Sequence, residues 1–364
     1  MTVQPAKPGI LKIKAYIIDE EPEDFPPPHL LLNSNESVFG PGPEVITAVR
    51  DAAGHLERYF ENVDQALAPE IGRFFDLDAS RITVGNGSDD LLARLARIYL
   101  GPGTEMLRSE NGYPKAPNYA FANDAEVVSV PDENFKPSVA NLIDGITDRT
   151  RMIYLANPEN PAGTYLNSAE VRALHADMPE NALMVLDCAY EEFIDDPDHD
   201  SAAALIDSAE NVVMSRTFSK IFGLAGARMG WMYGAADIID NVRRVSTALP
   251  LSGTSMAAAL TALASREHFD TIFEANRSGR LWLSETLAGM GLNVVPSQVN
   301  FILVEFPNPE RSAVEADRYL RLRGIAVRRF GGAYQDYLRI TIGRRAELEE
   351  VAETFRSFLE SNQP

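Results

Sequence analysis

Cysteine is nearly absent. Cys188 is the single thiol in 364 residues, so no internal disulfide can form and no cysteine-rich metal site exists. The five histidines (His29, His55, His175, His199 and His268) never fall at the spacing that grips zinc from one helix face, and no metal centre is expected. No apolar run reaches the length of a signal-peptide core or a membrane span, so a soluble cytoplasmic protein is the expectation. Excess positive charge is missing too: 33 basic residues against 53 acidic ones leave −20. Such a surface repels phosphodiester backbones and anionic lipid, which argues against nucleic acid and membranes as partners. A small anionic substrate responds instead to the local field of its pocket.

Lysine is the most informative scarcity. The chain carries Lys7, Lys12, Lys14, Lys115, Lys136 and Lys220, and from residue 137 onward Lys220 stands alone. Arginine supplies positive charge almost everywhere else, and a guanidinium cannot form a Schiff base at neutral pH, whereas a deprotonated ε-amine can. What is present is ordinary: 45% hydrophobic and 24% charged residues, in a length that suits two domains.

Residues 1–44 are rich in proline and turns and read as an arm rather than a core element. From about residue 45, short apolar runs at 81–85, 105–109, 126–130, 151–156, 182–187 and 211–215 read as strands, with helical patterns such as 88–100 and 168–178 between them. That alternation predicts an α/β domain over 45–250, with a mostly parallel sheet covered on both faces and ligands at the carboxyl ends of its strands. After Pro250 a long helix is expected to begin, and the strand–helix–strand–helix order over 299–360 predicts a smaller α+β layer. Residues 1–44 and 251–364 would form this second unit.

Four segments carry chemistry. GNGSDD (85–90) joins a strand to a helix with Ser88 placed as N-cap, leaving amides that suit an anion. It lacks both the dinucleotide fingerprint and a Walker lysine. NPENPAGT (157–164) is an irregular loop able to present the Asn160 amide. LDCAYEEF (186–193) puts Asp187 at the end of an apolar strand, where a carboxylate is costly unless it meets a cation such as a protonated heterocycle. SRTFSKIFGLAGARMGW (215–231) combines Thr217, Ser219, Lys220 and Arg228 on a glycine-rich loop, which is phosphate-binding chemistry around an amine.

At these mutual spacings the last three segments resemble those of fold-type-I pyridoxal-phosphate aminotransferases, and the chain looks most like the histidinol-phosphate aminotransferase branch. KPGILKIKAY (7–16), LNSNESVFGPGP (32–43), RYF (58–60), GIAVRRF (324–330) and LRITIG (338–343) extend the resemblance over nearly the whole chain. It implies a seven-stranded large-domain sheet with a smaller α+β domain, and a pyridoxal 5'-phosphate cofactor. Lys220 would form the Schiff base and act as the proton-transferring amine, and Asp187 would pair with the pyridinium nitrogen. Asn160 and Tyr190 would reach the ring's 3-oxygen, and Tyr113 would stack on its face. Ser88, Asp89, Thr217, Ser219 and Arg228 would surround the phosphate.

Tyr59 would reach the phosphate in a neighbouring subunit, which implies a homodimer with shared active sites. Arg339 would receive the substrate's carboxylate or phosphate, with Tyr16, Asn35 and Arg328 assisting. The implied reaction moves an amino group between an amino donor, histidinol phosphate first, and the 2-oxoglutarate/glutamate pair. An aminotransferase for aromatic or other amino acids is the alternative, and a pyridoxal-phosphate lyase such as a phosphothreonine decarboxylase is a third reading. A non-catalytic relative has no physical need for Lys220, Asp187, Asn160, Tyr190 and Arg228 together.

The chain departs from the family pattern at four places. Ala162 replaces a threonine, Cys188 a glutamate, and Asn111-Gly112 a Pro-Thr pair. The acidic IIDEE (17–21) follows Tyr16, and near a substrate mouth it would repel a phosphorylated substrate.

Overall fold

A computed structural model describes residues 5–14 and 25–360. Its larger sheet has seven strands in the order Ile82–Gly85, Gly230–Gly234, Val212–Thr217, Leu183–Asp187, Thr150–Ala156, Glu105–Ser109 and Glu126–Val130. Every pairing is parallel except those of Gly230–Gly234, which runs antiparallel to both neighbours. This is the mostly parallel α/β sheet expected. Strands Leu183–Asp187 and Val212–Thr217 near its centre are buried at every position, because helices cover both faces.

Gly230–Gly234 starts on the last two residues of the glycine-rich motif, which was expected as loop, and was not among the expected strands. Its alternation makes it a strand: Trp231 and Tyr233 join the core on one face of the sheet, Met232 the core on the other.

A second, antiparallel sheet of four strands runs Arg328–Arg329, Tyr337–Thr341, Phe301–Glu305 and Asn293–Val295. Helices Ala313–Arg321 and Arg345–Glu360 and the distal part of Arg266–Gly289 pack on it around their own apolar cluster. Two expectations are corrected here. Residues 30–32 are no loose arm: Leu30–Leu31 pairs in parallel with Ile325–Ala326, and Leu30 and Leu32 are buried in the smaller core. Nor does the change of character after Pro250 coincide with a change of core. Helix Gly253–Ala264 packs on helices Pro43–Ala52 and Val63–Phe75 and sends Met256 and Ala259 into the larger cluster, and only after Ser265 does the long helix begin.

The parallel strands end along one edge. From that edge emerge the turn before Ser88 and the loops bearing Tyr113, Asn160, Tyr190 and Lys220. Among the described residues, no helix is long and apolar enough to cross a membrane.

Candidate active site

Asp187 is the last residue of its strand and only 6% exposed. The Tyr154 hydroxyl donates to its Oδ2 at 2.6 Å and the Ser215 hydroxyl to Oδ1 at 3.3 Å. Ser215 is its register partner on the next strand, a proximity that no sequence pattern announces. Burial raises the carboxyl to about 6; the hydroxyls of Tyr154 and Ser215 and the Ala189 amide pull it down, while the charge of Asp89 pushes it further up. Among the described residues its partners are hydroxyls and an amide, none of them a cation. A buried carboxylate so furnished fits a protonated ring nitrogen.

Three residues on, the Tyr190 hydroxyl accepts from two side-chain amides, Asn35 Nδ2 at 3.0 Å and Asn160 Nδ2 at 3.4 Å. Lys220 Nζ lies 5.6 Å from the centroid of the Tyr190 ring. Asn35, expected to bind substrate, is 2% exposed and is held by Thr341 and Asn300 while it orients Tyr190. The Asn157 side chain is likewise occupied, closing the loop onto the backbone of Leu166, whereas that of Asn160 reaches the Tyr190 hydroxyl.

The anion cradle forms where two loops touch. Ser88 is not the cap of its helix, as expected, but its first residue; Gly87 is the cap, with a left-handed backbone (φ 82°) that leaves the amides open. A Cβ on Gly230 would sit 2.4 Å from the Ser88 amide nitrogen, so only glycine lets the two loops meet. Arg228, itself left-handed at φ 52°, lays its guanidinium over Gly87; a Cβ there would lie 2.7 Å from Arg228 Nη2. Its one hydrogen bond is to the Ala225 carbonyl, and no carboxylate lies within 4 Å among the described residues. Thr217 Oγ1 stands 2.9 Å from Ser219 Oγ, both buried behind this turn. Open amides, two hydroxyls and a guanidinium without a carboxylate fit a phosphate.

Asp89 faces away from that cradle. Its carboxylate receives the hydroxyl of Tyr119, lies 3.5 Å from that of Tyr113, and pairs with Lys115 at 3.3 Å. Its side chain is thus engaged by Tyr119, Tyr113 and Lys115, and only its amide would be left for an anion.

Arg339, expected to receive the substrate's anion, donates to Asn160 Oδ1 at 2.6 Å and to the Asn33 carbonyl at 2.9 Å, and its guanidinium rests about 5 Å from the rings of Phe301 and Phe330. Arg328 is its cross-strand partner. Directly opposed residues share a sheet face, so the two guanidiniums stand on the same side. Tyr59 is 80% exposed on this chain and is not brought to the other residues. Tyr16 and the IIDEE segment lie outside the described residues.

Among the departures, Ala162 is fully buried against Leu303 and Tyr334, where a methyl suits the surroundings. Cys188 is sealed in the core and burial pushes its thiol up. Sequence reasoning missed the cluster behind it. Arg216 pairs with Glu191 and, at 3.7 Å, with Glu192, and it stacks over Phe75 and Trp231. Burial pushes Glu191 up, but Arg216 and then His199 pull harder and hold it at about 2; burial leaves Glu192 raised to about 7.

The family model for aminotransferase class I and II matches residues 27–355. A histidinol-phosphate aminotransferase of Granulibacter bethesdensis is 40% identical, over 97% of this chain and 95% of its own length. One from Paramagnetospirillum magneticum is 39% identical, over 99% of both. Among solved structures, the histidinol-phosphate aminotransferase of Sinorhizobium meliloti in complex with pyridoxal-5'-phosphate superposes with a TM-score of 0.85 at 29% identity, covering 91% of each chain.

Proposed function

The chain belongs to the class I and II aminotransferases, and from that membership we propose that it exchanges an amino group between histidinol phosphate and the 2-oxoglutarate/glutamate pair, with pyridoxal phosphate as cofactor. The opposed Arg328–Arg339 pair beside Asn160 carries the choice of substrate. A phosphate dianion matches two guanidiniums, and the fork of Arg339 by itself suffices for the carboxylate of glutamate in the other half-reaction.

When bound, the cofactor supplies an aldehyde that captures primary amines and a ring that accepts the electron pair released at the substrate carbon. Lys220 Nζ, beside the Tyr190 ring, would be the amine that holds that aldehyde and the base that would move the proton of the carbon bearing the amine. Asp187 keeps the ring nitrogen protonated, since its carboxylate is buried and lacks another cation. Asn160 and Tyr190 donate toward the ring's 3-oxygen. Tyr113 covers the ring face under the control of Asp89. The amides of Ser88 and Asp89 hold the phosphate with Thr217, Ser219 and Arg228.

Tyr59 and the neighbouring Leu56 are exposed on one chain, which suits a homodimer in which Tyr59 completes the partner's phosphate site. Steady-state rates with histidinol phosphate against phenylalanine and tyrosine, each with 2-oxoglutarate, test the assignment. Faster turnover of the phosphorylated amine is expected; no turnover of it, with good rates on an aromatic amino acid, would move the protein to the alternative substrate class.

A further inference from the structure

Strands Glu105–Ser109 and Thr150–Ala156 are neighbours, so the loops that follow them leave the sheet side by side. One bears Tyr113, the other Asn160. The first is tied at Ser109 and Asn111: Asp132 accepts from the Asn111 amide at 3.2 Å, the Tyr334 hydroxyl donates to the Asn111 carbonyl at 2.9 Å, and Arg108 donates to the Ser109 carbonyl at 2.7 Å. Between the two loops stands one group that the reaction does not use. Glu159 is 4% exposed, its Oε2 accepts from the Asn160 amide at 3.2 Å, and its Oε1 lies against Gly112, where a Cβ would be only 2.5 Å away. One carboxyl thus touches both loops.

We propose that Glu159 is a positioning residue, a spacer whose length sets the separation between Tyr113 on the cofactor's ring face and Asn160 at its ring edge. The inference rests on the roles given to those two residues above. Burial, opposed by the charge of Arg108, raises Glu159 to about 8, so near neutrality it is an uncharged acid and its length matters more than its charge.

The test compares Glu159→Gln, which keeps the length, and Glu159→Asp, shorter by one carbon, with Asn160→Ala as reference. The readouts on holoenzyme are the pH midpoint of the bound cofactor's visible absorption band, kcat and KM; the dissociation constant for pyridoxal phosphate is measured on stripped protein. Loss of the Asn160 donor should raise the midpoint by about one pH unit. Glu159→Asp should move it in the same direction by roughly half as much, weaken cofactor binding, and lower kcat more than it changes KM. Glu159→Gln should resemble the parent. An Asp variant with the parental midpoint and cofactor affinity, or a Gln variant shifted as far as Asp, overturns the spacer. An Asn160→Ala protein with an unmoved midpoint removes the role of Asn160 and the spacer with it, whereas a responsive Asn160→Ala beside a silent Asp variant sinks the spacer alone.

Discussion

Replacing Asp187 with asparagine should stabilise the cofactor-free protein while crippling the holoenzyme. The carboxyl is buried, receives hydrogen bonds from Tyr154 and Ser215, and is raised from 3.8 to about 6. A group whose folded pKa lies above its unfolded value contributes nothing adverse below about pH 4, where both states are protonated. The cost grows as pH rises between those values and is complete above pH 6. Two pKa units correspond to about 3 kcal/mol. Asparagine fits the same site, its carbonyl toward Tyr154 and its amide toward the Ser215 hydroxyl, without a charge to desolvate. For a chain of this length an unfolding entropy near 0.8 kcal/mol/K turns that gain into roughly 4 °C at pH 8. Calorimetry of stripped protein at pH 8 and pH 4.5 should show Asp187→Asn melting higher at pH 8, with the difference shrinking toward pH 4.5. With cofactor present the order reverses, because the carboxylate then has its cation, and turnover should fall roughly 10²- to 10³-fold. An Asn variant that melts no higher than the parent at pH 8, or a difference independent of pH, would refute the view that this carboxyl waits for a cationic ring nitrogen.

Other outcomes follow from the same geometry. Arg339→Gln should raise KM for glutamate and for the phosphorylated amine alike, by on the order of 10²-fold for two lost charge-assisted bonds. Arg328→Gln should raise only the second, and steady-state kinetics on both substrates separate the two variants. Tyr59→Phe should weaken pyridoxal-phosphate binding roughly 10- to 100-fold without altering secondary structure, as read by titration of stripped protein. Arg216→Met leaves Glu191 and Glu192 buried without their cation and should destabilise by about 3–5 kcal/mol at pH 7. Because the parent holds Glu191 at about 2, well below its unfolded value, that contribution is present above about pH 4.5 and disappears as pH falls toward 2. Urea melts of parent and variant at pH 7 and pH 3 should therefore converge on acidification.

The sequence by itself determined the pattern of strands and the chemistry of the loops. Apolar runs such as LMVLD and VVMS announce strands buried on both faces, because only a two-sided environment lets consecutive residues all be apolar. A lone lysine among arginines announces an amine kept for covalent work. Local patterns could mislead where a neighbour decides the outcome. Ser88 looked like a cap, but the approach of Gly230 and Arg228 to Gly87 makes the glycine the cap and frees the amides. The end of the glycine-rich motif, Gly230 and Trp231, looked like loop until strands on either side made it the start of a strand. Leu30–Leu31 looked like an arm until Ile325–Ala326 supplied a ladder.

What only the tertiary structure decided is which groups meet across the sheet edge. Tyr154 and Ser215 reach Asp187 through strand register, Asn35 reaches Tyr190 across 155 residues of chain, and Glu159 finds Gly112 because two strands are neighbours. The opposition of Arg328 and Arg339 likewise exists only once their strands pair. Burial and pKa belong to this level as well: a carboxyl's charge state depends on what surrounds it in space, and sequence order does not encode that distance.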